Sequence, residues 1–202
     1  MITTFIAAFS PMSRSRPAPA AESRFSYPLE ALQQLAQDVL VHARERGASA
    51  CEADVSEGFG QSVTVRRAEV ETIEYNRDKG IGVTVYLGQQ KGYASTSDFS
   101  AQAMRETVEA ALSIARYTAA DPCAGLPEAA LLAKKSPDLD LYHPWAISVD
   151  EAIELARRCE DAAFAVSPLV TNSEGATASM QEGQFVSANS LGFMGGFPTS
   201  RH

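Results

Sequence analysis

The sequence predicts an α+β fold, in which amphipathic helices cover an antiparallel sheet and the start of a second β-rich layer follows. One observation is that apolar residues recur at helical spacing on both sides of residues 51–96. A second is that apolar and polar residues alternate within that range, which is typical of strands with one covered face. A third helical repeat then precedes further strand-like segments beyond Pro168.

The first helix is predicted over residues 28–46. Its apolar positions are Leu29, Leu32, Leu35, Ala36, Val39 and Leu40. Pro28 suits a first helical turn and Gly47 suits the exit. Because charged residues occupy the opposite side, this helix should lie on the surface of a domain with its apolar side inward.

The predicted sheet contains short strands separated by glycine-containing turns. The strand candidates are residues 51–57, 60–66, 69–76, 81–87 and 91–96. The turn candidates are Gly58-Phe59-Gly60, residues 76–80 and Gly88-Gln89-Gln90. From the alternation we expect a set of mostly β-branched side chains to be largely buried: Val63, Val65, Ile73, Val83 and Val85.

Two more helices are predicted. The second covers residues 100–118, with Ser97 or Ser100 as its N-cap. Its apolar face would carry Met104, Val108, Ala111, Leu112 and Ala115. The third begins at Ser148, which forms a plausible capping box with Glu151. The strands beyond Pro168 should leave at least one edge of their sheet unpaired.

Four regions are expected along the chain. Residues 1–26 form a disordered extension and residues 27–120 form a helix–sheet–helix domain. Residues 121–147 are a proline-rich linker, and residues 148–202 supply a helix and the strands of an incomplete second layer. The ending at Ser-Arg-His after apolar strand-like segments suggests a truncated chain.

Composition argues against several classes of protein. The formal net charge is −8 and the 17 basic residues form no cluster, so direct nucleic-acid binding is disfavoured. No apolar run is long enough to cross a bilayer, so no membrane association is expected. The 3 cysteines show no paired spacing, which favours reduced thiols and a cytoplasmic location.

No residues in the sequence form a catalytic, cofactor-binding or metal-binding constellation. Cys51 and Cys159 are predicted to be buried small hydrophobic residues, and Cys123 lies in the linker. The segment "DLDLYHPW" could suggest a metal site, but Asp-x-Asp in such a loop more often turns the backbone. The acidic residues of "EADVSE" and "AEVETIEY" are assigned to the solvent face of the sheet. The loop "TNSEGATAS" offers hydrogen-bonding groups for recognition, although a tight turn explains it more simply.

Several segments together resemble the PmbA (TldE-like) branch of the TldD/PmbA proteins. They are "EVETIEYNRDKGIGVTVYLGQQKGYASTSDFS", "TVEAALSIARYTAADPCAGLP", "PDLDLYHPWAISVDEAIELA", "VTNSEGA" and "NSLGFMGGFPTSRH". The resemblance covers residues from about 30 to the end and corresponds to the N-terminal half of the family pattern. It implies a peptidase-U62-type protein whose hairpins shape the subunit.

The resemblance also implies a partner and a cofactor. In this family a TldD-like subunit binds zinc through an HExxxH helix and pairs with a PmbA-like subunit to cleave peptides in the cytoplasm. This chain has no HExxxH motif, so no metal ligand is expected in it and zinc is expected in the TldD-like partner. Two other interpretations stay open: a regulatory protein-binding module of the kind named modulator of DNA gyrase, and a nonfunctional truncated fragment.

Overall fold

The computed structural model describes residues 24–135 and 137–202. The helices are α1 (Leu29–Glu45), α2 (Ala101–Tyr117) and α3 (Val149–Ala165), with a short 3₁₀ turn at Ala129–Leu131. The strands are β1 (Ala50–Arg66), β2 (Glu69–Leu87), β3 (Gln90–Thr96), β4 (Ala176–Asn189) and β5 (Met194–Arg201). Most of the predicted disordered extension, residues 1–23, lies outside the described residues.

The strands form one antiparallel sheet in the order β3-β2-β1-β4-β5, and the predicted α+β class is confirmed. The strands beyond Pro168 do not begin a separate layer, which corrects that part of the expectation. β4 instead pairs with β1 along nearly its whole length, from Glu52 opposite Asn189 to Val65 opposite Ala176. β5 lies at one edge of the described sheet.

The predicted breaks at residues 58–60 and 76–80 are wrong, since β1 and β2 are continuous strands of 17 and 19 residues. Glycines inside a strand can mark a close approach of neighbours rather than a turn. At Gly60 a Cβ atom would lie 2.5 Å from Asn76 Oδ1 and 2.9 Å from Gln181 Cγ, so a side chain there would crowd both neighbouring strands. The chain reverses instead at Arg67 and Ala68, whose φ angles are 51° and 63°.

α1 and α2 cover one half of the helix-bearing face of the sheet. Their predicted apolar positions face the core: Leu32, Ala36 and Val39 of α1 are fully buried, and so are Val108 and Leu112 of α2. Ser100 is the N-cap of α2, where its hydroxyl accepts a hydrogen bond from the Ala103 N–H. These helices pack on the buried strand residues Cys51, Ala53, Val55, Ile81, Val83, Val85, Val186 and Ala188.

α3 covers the same face of the sheet farther along β1. The predicted capping box of Ser148 and Glu151 is present at its start. Hydrogen bonds from Ser148 to the Glu151 carboxylate hold the pKa of that carboxyl below its ordinary value. The small residues Ala152 and Ala156 pack against Val63 and Val65 in a second, smaller apolar cluster.

The N-terminal half of β2 has no cover. α3 packs over β1 and β4, so the side chains from Glu69 to Lys79 are all exposed. Ile73 is therefore 45% exposed, and its predicted burial is wrong. The other predicted buried residues, Val63, Val65, Val83 and Val85, are each 0% exposed. None of the helices in the part of the chain described is long and apolar enough to cross a membrane.

Candidate functional site

A cleft with polar walls separates the two apolar clusters on the helix-bearing face of the sheet. Its floor is formed by Glu57 of β1 and by Glu182 and Gln184 of β4, and we refer to these three residues as the polar cleft. The register places Glu57 opposite Gln184, and Glu182 opposite Phe59, so these residues are neighbours on one face. All three polar side chains are buried, with exposures of 3%, 3% and 5%.

The chain's own N-terminal segment occupies this cleft. The backbone N–H of Ser26 donates to Glu57 Oε1 at 2.8 Å, and the N–H of Tyr27 donates to Glu57 Oε2 at 3.2 Å. Gln184 Nε2 donates to the Tyr27 carbonyl oxygen at 2.6 Å. A single carboxylate therefore binds two consecutive peptide groups, and the neighbouring amide binds the next carbonyl.

Glu182 binds a cation and a phenol. The guanidinium of Arg24 forms an ion pair and a hydrogen bond with Glu182 Oε1, and the hydroxyl of Tyr142 donates to Oε2 at 2.7 Å. Burial raises the pKa of the Tyr142 hydroxyl, which stays protonated as the donor at neutral pH. Because both oxygens of a buried carboxylate are satisfied, the charge is compensated where water is excluded.

Arg77 of β2 closes over the bound segment. Its guanidinium donates to Ser26 Oγ at 2.9 Å and to the Arg24 carbonyl oxygen at 3.3 Å. The guanidinium carbons of Arg24 and Arg77 lie 4.9 Å and 5.5 Å from the centroid of the Phe59 ring. The residues at the end of the predicted disordered extension are thus held by side chains of three strands.

A second polar contact joins α3 to the β1–β2 turn. The backbone N–H groups of Arg67 and Ala68 each donate to the buried Glu160 carboxylate at 2.9 Å. These bonds, with that of Ala68 the largest cause, lower the pKa of the Glu160 carboxyl from its ordinary 4.5. Arg157 Nε also donates to the Ala68 carbonyl oxygen at 3.0 Å. Glu160 therefore fixes the β1–β2 turn through both of its backbone N–H groups.

The loop "TNSEGATAS" contacts the same turn. Asn172 Oδ1 accepts a hydrogen bond from Arg67 at 3.1 Å, and the Ser173 carbonyl oxygen accepts one from Arg66 Nε at 3.0 Å. The Ser173 hydroxyl accepts from the N–H of Gly175, whose φ is 101°. The favoured interpretation, a tight turn, fits this geometry, and its polar groups bind the hairpin of the same chain.

The three cysteines differ in their exposure to solvent. Cys51 is buried as predicted, and burial, followed by the nearby Glu52 charge, raises the pKa of its thiol to about 12. Cys159 is exposed, so its predicted burial is wrong. α3 buries the side that carries Ala152, Ala156 and Glu160, and Cys159 lies outside that stripe. Cys123 in the predicted linker is also exposed.

The segment around His143 forms a turn. Asp138 Oδ1 accepts a hydrogen bond from the Asp140 N–H at 3.0 Å, and His143 Nε2 lies 2.7 Å from the Asp140 carbonyl oxygen. Among residues 24–135 and 137–202, no three His, Cys, Asp or Glu side chains are grouped so as to hold a metal ion. His42 is partly buried, with its ring nitrogens 3.8 Å and 3.9 Å from Glu45 and Glu109.

The predicted turn at residues 58–60 interrupts the alternation of β1, and for this reason the sequence does not predict the burial of Glu57. Glu182 and Gln184 lie on β4 and Glu160 on α3, so that turn has no bearing on them. Glu57 was assigned to the solvent face of the sheet, and this is wrong. It has the same parity as Ala53, Val55 and Val63, which are buried. Continuous alternation from residue 51 to residue 65 would have placed Glu57 on the covered face.

Chemically, the described cleft is suited to holding a polypeptide. Its floor supplies carboxylate and amide groups that bind backbone amides and a guanidinium, and none of the groups described above pairs a nucleophile with a base. In β1 and β4 these side chains project from rigid strands, which fixes the positions of the acceptors. The cleft can therefore bind an extended chain.

Two family models match the chain. The model described as PmbA/TldA metallopeptidase domain 1 matches residues 51–115, and the model described as PmbA/TldA metallopeptidase central domain matches residues 142–202. Together they cover more than half of the sequence. Strands from both matched regions join in the same sheet, since β1 lies in the first and β4 in the second.

Curated relatives resemble most of this chain. "Metalloprotease PmbA" of Escherichia coli O157:H7 is 49% identical over 151 residues, which are 75% of this chain and 34% of that protein. A "Metalloprotease PmbA homolog" of Haemophilus influenzae is 43% identical over 171 residues, which are 85% of this chain and 38% of that protein. The chain thus spans little more than a third of the length of these relatives.

Solved structures share the fold. A Bacteroides thetaiotaomicron protein named as a candidate modulator of DNA gyrase aligns with a TM-score of 0.72 and 20% identity, over 83% of this chain and 38% of that one. TldE from Thermococcus kodakarensis aligns with a TM-score of 0.64 and 16% identity, over 84% of this chain and 37% of that one. Identities this low establish a common fold alone.

Proposed function

Because this chain belongs to the PmbA/TldD metallopeptidase family, we propose that it is the N-terminal portion of a PmbA/TldE-like subunit of a two-subunit metallopeptidase. The assembled enzyme degrades or processes peptides in the cytoplasm. In this proposal the chain itself is not catalytic. The TldD-like partner binds the zinc, and this chain contributes a rigid sheet to the subunit that pairs with it.

The similarity to the metalloprotease PmbA proteins is the observation that carries this proposal. It extends over 151 to 171 residues, and the family models match the sheet, α2 and α3 rather than one short motif, as expected for a shared subunit architecture. The sequence lacks the HExxxH spacing that brings two histidines together on one helix face. This supports a division of labour in which zinc chemistry belongs to the partner.

Metal analysis, a peptidase assay and binding to a TldD-like subunit test the proposal. The purified chain alone should hold no stoichiometric zinc and cleave no unfolded peptide. Immobilised TldD-like subunit should bind it saturably, but more weakly than it binds a full-length PmbA-like subunit, because the rest of that subunit's interface is missing. Tight binding of one zinc per chain, or no saturable binding to the TldD-like subunit, would contradict the proposal.

A second candidate function is a regulatory module that binds a basic protein. The net charge of −8 favours such a partner and disfavours direct contact with DNA. Binding to purified DNA gyrase in the absence of DNA, measured at low and high salt, separates the two candidates. Saturable, salt-sensitive binding to gyrase with none to a TldD-like subunit would favour the regulatory module.

A further inference from the structure

The occupied polar cleft supports an inference that goes beyond the proposed subunit role. Glu57 and Glu182 are charged groups that lie almost completely out of water. Burial of such groups is costly unless hydrogen bonds and opposite charge compensate it. The compensation here comes largely from the segment Arg24–Tyr27, which contacts both carboxylates and lies over the cleft.

The bound segment belongs to no helix or strand. Residues 24–27 precede the α1 N-cap at Pro28 and contribute no rung to the sheet, so their release would leave the helix and the strands in place. The side chain of Arg24 is 43% exposed although the carboxylate it binds is buried. The segment is attached through side chains of the cleft rather than through a continuous backbone ladder.

The contacts define which peptide the cleft accepts. The bonds from Glu57 and Gln184 are made to backbone groups, which every peptide offers in the same spacing. Specificity comes from three side chains of the segment. Glu182 binds the arginine at position 24, and the Phe25 ring lies 5.7 Å from the Phe59 ring and 5.8 Å from the Tyr142 ring. The Tyr27 ring packs 5.1 Å from Phe99 and 5.2 Å from Lys79 Nζ. An arginine followed directly by one aromatic residue, with a second aromatic residue two positions later, fits these contacts.

We propose that the polar cleft is a binding site for extended peptides with the pattern arginine-aromatic-x-aromatic, and that residues 24–27 occupy it as an intramolecular ligand. A tethered ligand has a high effective concentration, so an external peptide binds weakly until the tethered segment is loosened. This binding follows from side chains of this chain alone and does not depend on its pairing with a peptidase subunit.

Fluorescence anisotropy with a labelled peptide of residues 22–28 tests this proposal in the full chain. Arg24→Ala and Ser26→Pro each weaken only the tethered segment. The first removes the guanidinium that binds Glu182, and the second removes the backbone N–H that donates a hydrogen bond to Glu57. Each should bind the peptide about tenfold tighter than the unmodified chain, the change expected from losing one charge-assisted hydrogen bond. Arg105→Ala, an exposed position on α2, is the matched control and should leave the affinity unchanged.

A second peptide tests the recognition of arginine. The same peptide with alanine in place of arginine should bind the Arg24→Ala chain about tenfold more weakly. Adding Glu182→Gln should remove most of that preference.

The proposal would be overturned by equal affinity of both peptides for the Arg24→Ala chain. It would also be overturned if neither Arg24→Ala nor Ser26→Pro raised the affinity for the labelled peptide. If thermal unfolding shows that one of the two variants is unfolded, peptide binding by the other variant decides the test. Loss of cooperative unfolding in both would make the segment a permanent part of the core and would also overturn it.

Discussion

The two ends of the β1–β2 hairpin are held by different forces. At the end near α1 and α2, the strand residues between Ile81 and Leu87 lie in an apolar cluster that both helices cover. At the other end, the exposed stretch Glu69–Lys79 runs beside β1 without a helix above it. β2 therefore passes from an apolar core to an exposed surface, while β1 stays covered by α3 at Val63 and Val65.

The difference shows what holds a long strand in place where it extends beyond the apolar core. Hydrophobic stabilisation follows the buried area, and the helix-covered half contains most of it. The far turn has few apolar contacts and is instead fixed by Glu160, which accepts both turn N–H groups. Hydrogen bonds of this kind specify a geometry at a modest net gain in stability.

Truncating a buried residue in the helix-covered half should have the largest effect. Leu112 is 0% exposed, so Leu112→Ala should lower the free energy of unfolding by about 2–5 kcal/mol through lost burial and a cavity. Ile73→Ala, at 45% exposure in the other half, should lower it by about 0.5 kcal/mol or less. Urea unfolding measures both. Equal losses would contradict the difference between the halves.

Adding a methyl group where α2 meets β3 should have a smaller effect. At Gly92 a Cβ would contact the Ala111 carbonyl oxygen and lie 2.6 Å from the Ala115 backbone nitrogen. Gly92→Ala should therefore cost about 1–3 kcal/mol of stability, as α2 is pushed outward. Gly80→Ala is the control, because its Cβ would lie 3.8 Å from the nearest backbone oxygen. A larger loss for Gly80→Ala would refute the close helix–strand approach.

The Glu160 contact should weaken in acid. Its pKa is lower in the folded chain than the ordinary 4.5, so its stabilising effect is present above that value and is lost as pH falls through the lowered pKa. Glu160→Gln should lower Tm at neutral pH, and the gap to the unmodified chain should narrow below pH 4.5. Glu154→Gln, at an exposed position on the same helix, should change Tm little at any pH. A difference in Tm between the two chains that widened in acid would contradict a lowered pKa for Glu160.

Thiol reactivity sharpens the comparison without changing stability. Cys51 lies in the helix-covered half with a pKa raised to about 12, so it should resist iodoacetamide in the native chain. Cys123 and Cys159 are exposed and should react. Mass spectrometry should therefore find two labels on the native chain and three after unfolding. Labelling of Cys51 as fast as that of Cys159 would show that the core opens readily.

The helices and the helix-covered strands were predictable because local rules agree there. The apolar spacing of α1 and α2 matches their buried faces, and Ser148 with Glu151 forms the expected capping box. The same was true of Val83 and Val85, where alternation coincides with cover from the helices. In these segments propensity, period and tertiary packing point to one structure.

Other features depend on which elements meet in space. Ile73 alternates correctly, yet it is exposed because α3 packs over β1 and β4 instead. The joining of β4 to β1 is a long-range pairing that no local pattern specifies. The polar cleft combines residues separated by more than one hundred positions, such as Glu57 and Gln184, 127 residues apart. The alternation along each strand could place these residues on one face of the sheet, but no local pattern predicts that they contact one another.

Segment-resolved hydrogen exchange tests most directly the claim that the halves of the hairpin are held differently. Residues 81–87 should exchange slowest, near the rate set by global unfolding, while residues 69–76 should exchange through local opening at lower free energy. Glu160→Gln should speed exchange around the β1–β2 turn and leave residues 81–87 unchanged. Uniform protection along β2, or an equal increase in both segments in the variant, would contradict the claim.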